Sequence, residues 1–173
     1  MHTLHFFAVE ADGIQEAFEE VYHALEESPL PWSDWHVVGG GRWNSDPSKQ
    51  YQDSSNDIVR YPDDKEKFHA MLDSVSKYRT EQVERLAFHS DLDAIKVAAV
   101  DYIANGGKDD FWDPKNGMQL WSIKRAIEMM QGEYGPDSMF FDLASGSTSM
   151  KYLMQRLDTK PDNQYLVPVD LHF

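Results

Sequence analysis

The chain has no cysteine among its 173 residues. That absence excludes disulfides, iron–sulfur clusters, thiolate zinc sites and cysteine nucleophiles together, so a bound metal would need histidine and carboxylate ligands. Lysine and arginine are missing from Met1 to Gly41, a stretch that carries Glu10, Asp12, Glu16, Glu19, Glu20, Glu26, Glu27 and Asp34; the first basic residue is Arg42. A surface this one-sided repels phosphate backbones and attracts basic partners, so no direct nucleic-acid binding is expected. Long apolar runs are lacking too. Nothing approaches the roughly 18 residues of a membrane span, and the first residues lack a secretory signal's basic start and apolar stretch. The expectation is a soluble, cytoplasmic protein with no membrane contact.

What is present fits one domain over 1–173. A hydrophobic content of 41%, with 13% aromatic residues, is enough for an ordinary buried core. His2 to Glu10 is short and rich in aromatic and aliphatic residues, which predicts a strand. Asp12 is placed to cap a helix whose Ile14, Ala17, Phe18, Val21, Tyr22 and Leu25 repeat along one stripe, with Glu16, Glu19, Glu20, Glu26 and Glu27 mostly on the other side. Those five glutamates are a candidate protein interface. Ser28-Pro29 stops the helix, and Ser33 to Val38 reads as a second strand.

Asn44 to Arg60 is Ser, Asp, Asn and Gln with little apolar material, which predicts an exposed loop or mobile arm that adds nothing to a core. Helical periodicity follows from Asp63 through Phe68, Met71, Leu72, Val75, Val83 and Leu86, breaks near Ser90, resumes through Leu92, Ile95, Ala99 and Ile103, and returns from Met118 to Gln131. Ser138 to Leu143 reads as a short strand. Ser147 or Thr148 caps a helix with Met150, Leu153, Met154 and Leu157, and Tyr165 to Phe173 closes as an alternating strand. The predicted class is α+β: a ferredoxin-like split β-α-β pattern with a four-stranded antiparallel sheet and a helical insertion over 44–135 between strands 2 and 3. In that pattern the first and third strands are central, both helices cover one face, and the last strand is an edge, where Pro168 costs no ladder bond.

The densest motif is Trp35-His36-Val37-Val38-Gly39-Gly40-Gly41-Arg42-Trp43. Consecutive glycines reach positive φ without a Cβ clash, so their amides can converge on an anion; Arg42 adds a five-donor fork, and Trp35 and Trp43 offer stacking surfaces. Gly39, Gly40, Gly41, Arg42, Trp35 and Trp43 are therefore the candidate ligand-binding residues for a phosphate, carboxylate or nucleotide-like anion. The spacing matches neither a Walker loop nor a dinucleotide fingerprint. The competing structural account is a glycine turn that carries strand two out of the sheet while Arg42 pairs with an acid.

His5, Asp142, Asp170 and His172 form a candidate divalent-metal set if strand register projects them from one face. A paired-histidine phosphoesterase is disfavoured, since that chemistry calls for Ser or Thr two residues after each histidine and none of His2, His5 and His172 has one. Glu66 and His69 have di-iron spacing but no second copy; His89 and Asp93 read likewise as a surface pair. Asp109 to Gly117 lacks the ligand alternation of a calcium loop. Ser145-Gly146-Ser147-Thr148-Ser149 reads as a helix cap, and there is no Gly-x-Ser-x-Gly elbow.

The segment Asp34-Trp35-His36-Val37-Val38-Gly39-Gly40-Gly41-Arg42-Trp43 resembles a D-W-x-x-x-G-G-x-R-W type signature of small uncharacterised bacteriophage proteins. The resemblance covers this segment alone. It transfers no catalytic residue, and implies a viral or prophage origin, hence the host cytoplasm, and a counter-defence or host-takeover role exerted by binding. Three functions are therefore expected, in this order: a non-enzymatic protein that binds a host protein or captures an anionic nucleotide-like ligand, needing no cofactor; a metal- or nucleotide-dependent hydrolase with a His/Asp site on the open sheet face; and an acidic DNA mimic, weakened by the sixteen basic residues that accompany the net charge of −14.

Overall fold

The computed structural model describes residues 1–89 and 134–173. Its elements are β1 (His2–Glu10), α1 (Ile14–Glu27), β2 (Trp35–Val38), β3 (Val59–Arg60), α2 (Lys65–His89), β4 (Phe140–Asp142), α3 (Met150–Thr159) and β5 (Gln164–His172). They build a mixed α/β fold around one five-stranded, mostly antiparallel sheet. Second helical repeats expected from Leu92 to Gln131, the Asp109–Gly117 turn and Asp93 lie outside the described residues.

β1 and β5 pair antiparallel over their whole lengths, from His2 opposite His172 to Glu10 opposite Gln164. β4 lies parallel to β1, with Phe6 opposite Phe140 and Ala8 opposite Asp142. β2 and β3 share the other side of β5, β2 against Val169–His172 and β3 against Tyr165 and Leu166. The last strand is therefore central, and β2 pairs with it rather than with β4. In this the sheet differs from the expected ferredoxin-like order, which puts the second strand beside the third and the last at an edge.

A central β5 has to accommodate Pro168. The N–H and C=O of one strand residue point the same way, and Pro168 C=O accepts from Gly39 N–H at 2.7 Å. The N–H that proline lacks would therefore face the break between β2 and β3, where no ladder bond is lost. Proline sits inside the sheet because the neighbouring strand is interrupted there.

Both sheet faces are covered, which is why β1 is buried without alternation from His5 to Val9. Phe7, Val9, Val38, Val167, Val169 and Leu171 pack beneath α1 through its Ala17, Val21 and Leu25. The opposite face packs Phe6, Ala8, Phe140 and Leu166 against Phe68, Leu72 and Val75 of α2 and Leu153 and Leu157 of α3. The two helices expected on one face, α1 and α3, thus lie on opposite faces. Arg79 of α2 donates to Ser138 O at 2.9 Å and Thr148 O at 3.0 Å, tying that helix to the approach to β4.

Helix starts also differ from expectation. The residue before α1 is Gly13, with no side-chain cap; Asp12 instead donates its N–H to Glu16 Oε2 at 2.6 Å, which serves the first turn from the other direction. Ser149, not Ser147 or Thr148, caps α3 by accepting Lys151 N–H. Ile14, at 43% exposure, lies off the buried stripe.

The segment expected to be an exposed arm is stitched to the sheet. Asn44 is buried and donates Nδ2–H to Gly39 O at 2.7 Å while its Oδ1 accepts Asp46 N–H at 2.8 Å. Asp53 accepts Val38 N–H at 2.8 Å, and Asp57 accepts Ser45 N–H at 2.6 Å. Ile58 then enters the α1-side core and Val59 the α2-side core. The polar residues that read as solvated are acceptors for the chain's own amides.

Candidate functional site

The three glycines all take positive φ, 100° at Gly39, 95° at Gly40 and 49° at Gly41. At two of them the space also requires glycine: a Cβ on Gly39 would fall 1.9 Å from Ser54 O, and one on Gly41 2.4 Å from Asp170 Cβ. The corner does hold an anion, and that anion is the chain's own. Asp170 is fully buried, and its Oδ2 accepts Arg42 N–H at 3.1 Å. Of the glycine amides expected to converge on a ligand, Gly39 N–H is bonded to Pro168 O, and the turn beyond is closed by Trp43 N–H to Gly40 O and Asn44 N–H to Gly41 O.

Asp170 Oδ1 accepts from His2 Nδ1–H at 2.8 Å. Across the β1–β5 pairing His2 stands opposite His172, and the two rings lie edge to face with centroids 4.7 Å apart. His172 Nδ1–H donates in turn to Asp34 Oδ1 at 2.7 Å, which holds the Asp34 carboxyl below the usual range, the hydrogen bond from His172 being the main cause. Asp34 is itself positioned by backbone: its N–H reaches His172 O at 3.1 Å, and Ser33 Oγ donates to the same carbonyl at 3.0 Å. Trp35 completes the group, edge-on to His2 at 5.6 Å and 38% exposed.

Two imidazoles thus sit side by side, each with Nδ1 fixed on a carboxylate. The carboxylate acceptors set the tautomer, so each neutral ring carries its lone pair on Nε2. Neither Nε2 is hydrogen-bonded by the described residues. The environments differ: the His2 side chain is 15% exposed over a buried aspartate, whereas that of His172 is 37% exposed beside an open one.

Arg42 is exposed, and its guanidinium makes no ion pair with any described residue. Pairing with a nearby acid was the structural account of this residue, and its side chain does not do that. Among the described residues its backbone alone serves the fold. Trp43, next in sequence, is 46% exposed.

The four residues expected as a metal set do not meet. His5 stands opposite Val169 on the α1 side, whereas Asp142, Asp170 and His172 alternate onto the other face. Its Nε2–H donates to Pro136 O at 3.2 Å and its Nδ1 accepts from Tyr134 OH at 3.1 Å. Burial lowers the His5 pKa to about 3, so the ring is a neutral core residue. Asp142 belongs to a separate cluster: Arg156 grips it with two bonds of 3.0 and 2.7 Å, and Ser145 Oγ adds a third at 2.7 Å. Among the described residues no three His, Asp or Glu side chains gather as a metal-binding group.

The remaining motifs have structural employment. Ser145 to Ser149 forms the turn that closes on Asp142 and caps α3. His69 packs edge-on against Tyr61 and Phe68. The five α1 glutamates are all exposed; Glu26 meets His36 Nε2 at 3.5 Å, and burial together with Glu16 raises the Glu20 pKa. Among the described residues no helix is long and apolar enough to cross a membrane.

His2 was the functional candidate that sequence reasoning passed over. Alternation in β5 puts Asp170 and His172 on one face, and end-to-end antiparallel pairing of the terminal strands brings His2 opposite them. Compared with family models, curated proteins and solved structures, the chain matches none, so the reading of this site rests on its own geometry.

Proposed function

We propose that the chain captures a small anionic, ring-bearing ligand of nucleotide type at the corner formed by Arg42, His2, His172 and Trp35. The observation that carries this reading is the Arg42 guanidinium: exposed and without an acidic partner among the described residues. A cation left unpaired by the described carboxylates is available to an incoming anion. The glycine turn supports the reading indirectly, since it spends its amide on Asp170 and so anchors both Arg42 and His2 on one buried carboxylate. Trp35 supplies a face or edge for a base beside the same histidine.

Titration with nucleoside monophosphates and cyclic nucleotides, followed by tryptophan fluorescence and thermal shift, tests this. Binding is expected to raise the melting temperature by mass action. Arg42→Ala is expected to weaken binding at least tenfold with stability changed by less than about 0.5 kcal/mol, as for a surface substitution. An Arg42→Ala protein that melts markedly lower while binding is intact would overturn the assignment.

A second reading, docking of a basic host protein, has one observation behind it: Glu16, Glu19, Glu20, Glu26 and Glu27 all stand exposed on α1. It requires that a partner recovered from host lysate be released by salt and lost when these glutamates are changed to glutamine. The resemblance to phage proteins is compatible with either reading.

A further inference from the structure

We propose that His2 and His172 are an acid–base pair that hydrolyses the phosphodiester of a nucleoside cyclic monophosphate; this rests on the anion-capture reading above. The missing Ser or Thr after each histidine argued against paired-histidine chemistry from sequence. The structure supplies another fixing group in its place, since Asp170 and Asp34 hold the two Nδ1 atoms at 2.8 and 2.7 Å. What remains for chemistry is a pair of Nε2 atoms on rings whose centroids are 4.7 Å apart.

The rings are held rather than merely near each other. Strand register sets His2 opposite His172. Asp170, fully buried, cannot swing away, because Arg42 N–H takes its second oxygen and Gly41 is packed against its Cβ. A carboxylate fixed in this way sets the tautomer and stabilises the imidazolium that forms when the ring accepts a proton. Asp170 and Asp34 are positioning residues in this scheme. The charged and titratable groups at the site are His2, His172, Asp34, Asp170 and Arg42, together with the N-terminal ammonium of Met1, which meets Phe173 O and also acts on Asp34.

The substrate class follows from charge and ring count. One guanidinium free of ion pairs among the described residues at this site matches a monoanionic diester better than a polyphosphate, and a net charge of −14 opposes docking of a polynucleotide. One exposed indole in contact with His2 suits one base. A nucleoside cyclic monophosphate combines a single diester charge with a single base.

In the reaction a water molecule gives a proton to His2 Nε2 as its oxygen forms the new bond to phosphorus. The bond from phosphorus to one ribose oxygen breaks, its electron pair stays on that oxygen, and the oxygen takes the Nε2 proton of His172, which enters the step as the imidazolium with Nδ1–H still on Asp34. The product is a nucleoside monophosphate. Proton exchange with solvent, which reaches His172 most easily, restores both rings. Arg42 offsets the charge that gathers on the non-bridging oxygens in the transition state.

The test incubates the full chain, in chelator, with 2′,3′- and 3′,5′-cyclic nucleoside monophosphates and follows product by phosphorus NMR, with tryptophan fluorescence measuring binding in parallel. Expected are formation of monophosphate, a bell-shaped pH–rate profile, and a loss of roughly 100- to 10,000-fold in kcat for His2→Gln and for His172→Gln, much larger than the loss of binding in the same variants. Asp170→Asn is expected to shift the profile as well as lower the rate. Circular dichroism of each variant separates loss of chemistry from loss of fold. Binding without turnover overturns the acid–base assignment and leaves the capture reading standing; absence of both overturns the two together. Turnover abolished by chelator and restored by a divalent metal also overturns it, as does turnover unaffected by both histidine substitutions.

Discussion

Asp142 and Asp170 are both fully buried and both face the α2 side of the sheet, yet they are neutralised in opposite ways. Asp142 is closed off by a guanidinium through two hydrogen bonds and by Ser145. Its charge is matched by one equal charge, and the Nε–H of the same guanidinium is turned inward to Gln164 Oε1. Asp170 receives a backbone N–H and the Nδ1–H of a histidine at the rim. That arrangement satisfies the carboxylate and still leaves a lone pair on the far side of the ring. A buried charge paired to saturation makes structure, whereas one paired through a bifunctional ring passes its influence outward.

Removing the matching charge should expose the difference most strongly. Arg156→Met leaves Asp142 buried and uncompensated, and is expected to cost about 3–5 kcal/mol in urea denaturation; a loss near zero would remove the distinction. Acid should produce the next largest effect, through a third buried group that has no ion-pair partner among the described residues. His5 is held neutral with its pKa lowered from 6.5 to about 3, so the unfolded chain takes up its proton first. The stability this confers is complete above about pH 6.5 and is lost as pH falls toward 3, with a slope approaching about 1.4 kcal/mol per pH unit. Comparing denaturation midpoints of the parent and His5→Phe across that window should show the slope shrink in the variant.

Gly41→Ala sharpens the comparison from the Asp170 side. The added methyl meets Asp170 Cβ and imposes a left-handed backbone on alanine, at an expected cost of about 1–3 kcal/mol together with displacement of the His2 ring, visible as a shifted His2 NMR resonance. Smallest is Asp170→Asn. The amide oxygen can keep the Arg42 N–H, so stability should fall by only about 1 kcal/mol, well short of the Arg156 loss.

Much of this was legible in the sequence where one segment determined its own state. Unbroken burial suited the Phe6–Val9 run, the Ala17, Val21, Leu25 stripe found its core, and the three glycines turned the chain as their freedom requires. The order of strands was less accessible, because it depends on which partner β2 selects. The four residues of β2 carry no mark of β5 over β4; Pro168 was read as an edge signal when it marks a break in the neighbour. The loop after Trp43 misled for a related reason. Asn44, Asp53 and Asp57 are polar in composition, but their use is decided by backbone amides, which composition does not show. The site split along the same line: parity within β5 grouped Asp170 with His172, while the register that adds His2 and removes His5 is a property of the paired strands.

Pro168 has a consequence beyond its own position. It is the outward-facing residue of β5 in the interval between β2 and β3, and the strands at the sheet margins among the described residues are four, two and three residues long. An intruding extended peptide would find only short margins to pair with, and in the interval between β2 and β3 Pro168 offers no donor while its carbonyl is taken by Gly39 N–H. The sheet resists templated aggregation by construction, and copies of the chain that associate are expected to meet through side chains instead of through shared ladders.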